Sequence, residues 1–210
     1  MKTDELITTL AGQPTALPLR SGQQVLALLS AMAAAAALFL AVAGPRDGLS
    51  ALLMQPLIAA KTLLPVLTSL IALPALVALF YPEGRISHPL RLALPLAVAA
   101  GLWGFGFATL PGAARFAQFT PFAIVECVGL ILVIAALPLW LALWLAAQAA
   151  PTRPMLTGAL AGLVAGAGAA AGYSFFCLQD NPLFYVTWYG TAVALTMIAG
   201  AWLGARRLRW

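Results

Sequence analysis

Two cysteines, Cys127 and Cys177, carry the most reactive side chains of this 210-residue chain. Two thiols that lie close together can be oxidised together, or they can bind a soft metal ion as thiolates. Glu126 precedes the first cysteine and Asp180 follows the second by three positions, so both are candidate oxygen ligands of such a metal site. Because free cysteine is often a small buried apolar residue, a purely structural pair is the alternative.

Two further ionisable residues, Lys61 and Glu126, lie inside long apolar stretches. Charged side chains in such stretches are costly, which makes them candidates for a functional role. Each lies about one helical turn into its stretch. An ion pair between them would lower the cost of burying both charges. In the alternative, each side chain extends separately to the membrane surface.

The sequence contains no combination of residues that is typical of an enzyme. Acid–base catalysis by carboxylates needs two of them at one site, and Glu126 and Asp180 could at most approach each other across two segment ends. The single histidine, His88, precedes Pro89 in a short polar stretch and is interpreted as a solvated loop residue. We therefore expect neither an enzymatic activity nor an obligatory cofactor.

The composition predicts that these residues are held in a membrane. Hydrophobic residues make up 63% of the chain and charged residues 8%, with a mean hydropathy of +0.98. A soluble domain carries about 25% charged residues. The net charge of +5 comes from Lys and Arg scattered at the ends of apolar stretches, which disfavours direct binding of nucleic acid.

Six apolar stretches have the length of about 18 residues or more that a transmembrane helix needs. We predict an all-α, polytopic membrane bundle in one domain, 1–210, with a short arm at 1–20 and a tail at 205–210. The first span is interpreted as uncleaved because it is longer than the apolar core of a usual signal peptide. The predicted spans are Gln24–Ala43, Leu57–Phe80, Leu90–Leu110, Phe122–Ala147, Met155–Phe176 and Leu183–Gly204.

The distribution of Lys and Arg predicts that both termini are cytoplasmic. In this orientation the cytoplasmic segments hold eight of the eleven basic residues, and the opposite face holds Arg46 and Arg115. Cys127 and Cys177, fifty positions apart, then lie near the same periplasmic face, where disulfides are permitted.

The glycines of the fifth span and the N-terminal arm are candidates for contacts with neighbouring helices or with a partner. Gly158, Gly162 and Gly166 are four residues apart and predict close packing of two helices inside the bundle, with a homodimer interface as the alternative. The arm contains a short amphipathic turn that is able to fold on a partner, with a disordered tail or an interfacial anchor as the alternatives. Its candidate contact residues are Thr3, Asp4, Glu5, Leu6, Ile7 and Leu10.

The stretch from Cys177 to Tyr189 is the most distinctive of several motifs in this chain. The others are the start Met1–Ile7, Lys61, Cys127, Pro151–Pro154 before the Gly- and Ala-rich fifth span, and the tail Gly204–Trp210. Together these motifs resemble the NrsF-like anti-sigma factors of proteobacteria, and the resemblance covers most of the chain. The approach to Lys61, Leu53–Pro56, departs from the acidic and aromatic segment that is usual in the family.

The resemblance implies a six-span protein of the bacterial inner membrane that sequesters an extracytoplasmic-function (ECF) sigma factor on its cytoplasmic side. It also implies that heavy-metal or oxidative stress acts on Cys127 and Cys177 and releases the sigma factor, with a soft metal ion as a possible ligand of the two thiols. The alternatives are a transporter of small molecules or metals, and a membrane thiol oxidoreductase. The sequence shows neither the internal repeat that many transporters have nor a recognisable quinone or flavin site.

Overall fold

The structure, a computed structural model, describes residues 3–11, 20–49, 54–86 and 88–208. Within these ranges the chain is mostly helical and has no β-strand, which confirms the predicted all-α class. The α-helices, in chain order, are α1 Thr3–Ala11, α2 Ser21–Ala43, α3 Pro56–Ala78, α4 Leu94–Thr109, α5 Gly112–Arg115, α6 Pro121–Gln148, α7 Pro154–Tyr173 and α8 Pro182–Arg207, and a 3-10 helix, Pro89–Ala93, precedes α4.

Six helical segments are long and apolar enough to cross a membrane, as predicted: α2, α3, the 3-10 helix continued by α4, α6, α7 and α8. Five of them begin with a proline, namely Pro56, Pro89, Pro121, Pro154 and Pro182. Proline suits the first helical position because its missing N–H group would have no partner inside the helix. Asn181 also caps α8 by accepting a hydrogen bond from the backbone of the second helical residue.

Helix α7 forms the centre of the bundle. In its most apolar 18-residue stretch, 72% of the residues are buried. Its glycines allow α8 to approach closely: a Cβ atom on Gly158 would overlap the carbonyl oxygen of Gly200, and one on Gly162 would overlap that of Thr196. The predicted internal packing of these glycines is confirmed. Since α8 covers this face, the glycines cannot form a homodimer interface, and a homodimer through another surface stays a prediction.

Helices α2 and α4 lie at the periphery. In their most apolar 18-residue stretches, which for α4 include the preceding 3-10 helix, 6% and 11% of the residues are buried. Helix α2 packs on α6 and α7 through a narrow stripe that includes Leu28 and Met32. Helix α4 packs on α8 and α3. Both helices therefore turn most of their surface toward the surrounding lipid.

The segments between the spans lie at two ends of the bundle. Residues 44–49, 110–120 and 174–181 lie at one end, called here the Asp180 end, where the Asn181 amide donates to the carbonyl oxygens of Ala114 and Arg115. Residues 79–86 and 149–153 and the end of α8 lie at the other, the Arg153 end, where Thr152 Oγ1 donates to the carbonyl oxygen of Pro82. Helix α2 starts at the Arg153 end.

Candidate functional site

A bidentate ion pair between Arg46 and Asp180 dominates the Asp180 end. Arg46 follows α2, and Asp180 lies in the non-helical segment between α7 and α8. Nη1 and Nη2 of Arg46 donate to the two carboxylate oxygens of Asp180 at 2.7 and 2.8 Å. The side chains are 8% and 27% exposed, so the pair is partly shielded from solvent, and its two parallel hydrogen bonds fix one geometry.

Lys61 joins this pair from the first turns of α3. Its side chain is 1% exposed. Its Nζ donates to the carbonyl oxygen of Cys177 at 2.6 Å and to Asp180 Oδ1 at 3.2 Å, which satisfies the buried ammonium group. We call Arg46, Lys61, Asp180 and the Cys177 carbonyl group the Asp180 cluster.

The predicted Lys61–Glu126 pair is wrong, because Lys61 pairs with Asp180. Helix α7 packs against both α3 and α6, and the segment that follows α7 brings Asp180 over the start of α3. Glu126, on α6, is half-buried and is not an ion-pair partner of Lys61 in the described part of the chain.

Hydrogen bonds also hold the backbone of the segment that contains Cys177. Arg46 Nη1 donates to the Cys177 carbonyl oxygen at 3.0 Å, and the backbone N–H of Arg46 donates to the carbonyl oxygen of Phe175 at 2.9 Å. The hydroxyl groups of Thr62 and Ser174 share a hydrogen bond of 2.8 Å. The position of Cys177 is thus tied to the end of α2 and to the start of α3.

The charges of the Asp180 cluster reinforce one another. Burial raises the pKa of Asp180, but the hydrogen bonds from Arg46 and the charge of Lys61 outweigh burial and hold the pKa below its ordinary value. The hydrogen bond to Asp180 raises the pKa of Arg46, against the opposing effect of burial. Asp180 and Arg46 are therefore both ionised at neutral pH.

The two cysteines lie in one buried apolar cluster and are not bridged. Cys127, in α6, is 0% exposed and Cys177 is 3% exposed. Tyr173 and Tyr189, whose rings meet edge to face at 5.8 Å, belong to the same cluster. The arrangement places two oxidisable thiol groups in the apolar core, where small reagents have access only after a local opening.

The four candidate metal ligands are not assembled into one site. In ranges 3–11, 20–49, 54–86 and 88–208, no group of three or more His, Cys, Asp or Glu residues is arranged to hold a metal ion. Asp180 instead uses its carboxylate oxygens to bind Arg46 and Lys61. A soft metal ion held by Cys127 and Cys177 stays a prediction.

The candidate partner-binding residues of the arm lie on α1. Thr3, Asp4 and Glu5 are exposed, and the Ile7 side chain is 59% exposed. The side chains of the other two candidates, Leu6 and Leu10, lie outside the described residues, as do Arg209 and Trp210 of the tail.

Sequence analysis missed the role of Arg46, although a signal was present. Arg46 and Asp180 have opposite charges and lie in two segments that the predicted topology places on the same face. Opposite charges in segments that share a face are candidates for an ion pair, and here they form a bidentate one.

Comparison with known proteins gives one match. A family model described as NrsF, negative regulator of sigma F, matches residues 10–210, which is nearly the whole chain. No curated protein and no solved structure matches the chain.

Proposed function

We propose that this chain, which belongs to the NrsF family of negative regulators of sigma F, is an inner-membrane anti-sigma factor with a thiol sensor. Family membership makes it a negative regulator of a sigma factor. The proposal adds that the partner is an ECF sigma factor, that it binds at the cytoplasmic face, and that Cys127 and Cys177 receive the inducing signal.

The observation that carries the sensing part is that two unbridged thiols are buried in the core, with Cys127 about two turns into α6 and Cys177 in the segment after α7, both toward the Asp180 end. A two-electron oxidant would take two electrons and two protons from the pair, and a disulfide bond would form between the sulfur atoms. A soft divalent cation such as Cd²⁺ would instead displace the two thiol protons and bind both thiolates. Either reaction draws the two sulfur atoms together and changes the position of the Cys177 segment.

The sigma-binding part of the proposal rests on the arm. Helix α1 exposes Asp4 and Ile7, a mixture of charge and apolar surface that suits a protein partner. The arm leads into α2 at the Arg153 end, whereas the cysteines lie near the Asp180 end. With 23 residues in α2, at about 1.5 Å each, the two regions lie roughly 35 Å apart. The chemical event and the partner must therefore communicate through the helices.

Capture of the sigma factor by the purified chain in nanodiscs tests the regulatory part. We expect the full-length chain to retain the sigma factor and a variant that lacks 1–20 to lose it. Retention by the truncated variant would move the binding surface away from the arm.

The same assay with Cd²⁺ tests the sensing part. We expect Cd²⁺ to release the sigma factor from the wild-type chain but not from Cys127→Ser or Cys177→Ser. Release from both variants at the wild-type concentration of Cd²⁺ would refute the thiol sensor and leave the regulatory function in place.

A further inference from the structure

We propose that α2 is the element that carries the state of Cys177 to the N-terminal arm, and that Arg46 is the residue that couples the two. This inference rests on the proposed function, since it assigns a path between its sensing and binding parts. The path follows from the hydrogen bonds of Arg46, from the weak packing of α2 and from the continuity of α2 with the arm.

Cys177 is the member of the pair whose backbone can move. Cys127 lies inside α6, where neighbouring turns hold its backbone on both sides, while Cys177 lies in the non-helical segment 174–181. Lys61 Nζ and Arg46 Nη1 both donate to the Cys177 carbonyl oxygen. A displacement of Cys177 toward Cys127 must therefore lengthen or replace these two hydrogen bonds.

Arg46 transfers such a displacement to the end of α2. Its guanidinium group makes three hydrogen bonds to Asp180 and Cys177, and its backbone N–H makes a fourth to Phe175. Only Gly44 and Pro45 separate Arg46 from the last residue of α2. With so short a connection, a shift of segment 174–181 pulls on α2 directly.

Helix α2 is better suited to respond than α3, although Lys61 ties α3 to the same segment. Helix α3 packs on the central α7 more extensively, and Ser69 Oγ donates across this interface to the carbonyl oxygen of Val164 at 3.1 Å. Helix α2 packs on α7 less extensively, through Met32 beside Gly168, Ala36 beside Gly172 and the ring of Phe39, whose centroid lies 6.1 Å from that of the Tyr173 ring. In its most apolar 18-residue stretch 6% of the residues are buried, against 28% in α3, so less apolar contact holds α2 in place than holds α3.

The far end of α2 is continuous with the arm. Arg20 directly precedes α2, and its backbone N–H donates to Gln23 Oε1, which fixes the first turn. A displacement of α2 as a rigid rod therefore moves Arg20, the residue at which the arm joins the bundle. In the proposed function the arm is the surface that holds the sigma factor.

A substitution at Gly172 tests the role of α2 without removing any side chain of the Asp180 cluster. A Cβ atom on Gly172 would lie 2.6 Å from the Cβ atom of Ala36, so Gly172→Ala must push α2 away from α7. We expect the reduced Gly172→Ala variant to bind the sigma factor roughly tenfold more weakly than wild type in nanodiscs, within the usual range of coupling between sites.

Two controls make this test specific. The double variant Gly172→Ala, Ala36→Gly removes the opposing Cβ atom and should restore wild-type affinity. Gly104→Ala, on α4, adds a methyl group where no neighbouring atom lies within 4 Å and should bind like wild type. Wild-type affinity of Gly172→Ala, or a loss that the second substitution does not reverse, would overturn the role of α2.

Arg46→Gln tests whether Arg46 couples Cys177 to α2. Labelling of the thiols measures whether Cd²⁺ still binds them, which separates a loss of coupling from a general loss of structure. We expect the cysteines of this variant to bind Cd²⁺ as in wild type, while Cd²⁺ no longer changes sigma-factor retention. Arg115→Gln is the matched control, since Arg115 lies at the same end and its Nε donates to the carbonyl oxygen of Leu110. Normal Cd²⁺-dependent release from Arg46→Gln would refute the coupling. Failure of the wild-type chain to bind a sigma factor would instead refute the proposed function.

Discussion

The α7–α8 and α2–α7 interfaces use the same central helix in different ways. Between α7 and α8 the backbones touch, and a single methyl group on Gly158 or Gly162 would overlap a carbonyl oxygen of α8. Between α2 and α7 the contacts are made by side chains, Met32, Ala36 and Phe39 among them, and the Arg46 ion pair attaches the segment that follows α2. The first interface is a fixed scaffold, whereas the second depends in part on the hydrogen bonds of Arg46, which a local change can break.

The largest expected effect is at the fixed interface. Gly162→Val would place a branched side chain against the backbone of Thr196, so α7 and α8 must separate. We expect a loss of about 3 kcal/mol or more in the free energy of unfolding, at the upper end of overpacking costs. Unfolding in detergent micelles measures this, with Gly104→Val as the control. Equal stability of the two variants would contradict the close contact.

A smaller effect is expected at the polar attachment. Lys61→Met leaves the Cys177 carbonyl oxygen without its nearest donor and Asp180 with Arg46 as its remaining cation. We expect a loss of about 1–3 kcal/mol, the cost of an unsatisfied buried polar group.

Glu126→Gln separates this account from the pairing that sequence alone suggested. Since Glu126 is not the partner of Lys61, we expect the free energy of unfolding of the Glu126→Gln variant to differ from that of wild type by less than about 0.5 kcal/mol. If Glu126→Gln lost as much unfolding free energy as Lys61→Met, Glu126 would be the ion-pair partner of Lys61 after all.

The smallest effect is a pH dependence of the same attachment. Because the pKa of folded Asp180 lies below its ordinary value, its ionisation stabilises the fold above that ordinary value, and this contribution is lost as pH falls through the folded pKa. Below about pH 4, we expect wild type to lose stability more steeply than Asp180→Asn. Parallel pH profiles of the two proteins would show that Asp180 does not stabilise the fold by its charge.

Sequence reasoning recovered the parts of the fold that depend on local composition. Lipid-facing helices must be long and apolar, so hydropathy identified all six spans, and prolines such as Pro121 and Pro154 marked their starts. The spacing of Gly158, Gly162 and Gly166 identified a close helix contact, because only glycine permits the backbones to touch.

The lateral arrangement of the helices could not be predicted in the same way. Spans such as α6 are apolar around their whole circumference, so the sequence does not indicate which face meets which neighbour. The partner of Lys61 depends on that arrangement, so a similar predicted depth favours Glu126, whereas the structure pairs Lys61 with Asp180. The loop charges held a usable signal, since Arg46 and Asp180 share a predicted face.

The most direct measurement follows both thiols and the bound sigma factor in one sample. The wild-type complex in nanodiscs is treated with Cd²⁺ or a peroxide, and mass spectrometry of Cys127 and Cys177 is compared over time with sigma-factor release. We predict that both cysteines lose reactivity to a thiol label together and that release follows with the same dose dependence. Modification of one cysteine alone, or release while both thiols remain free, would contradict the account.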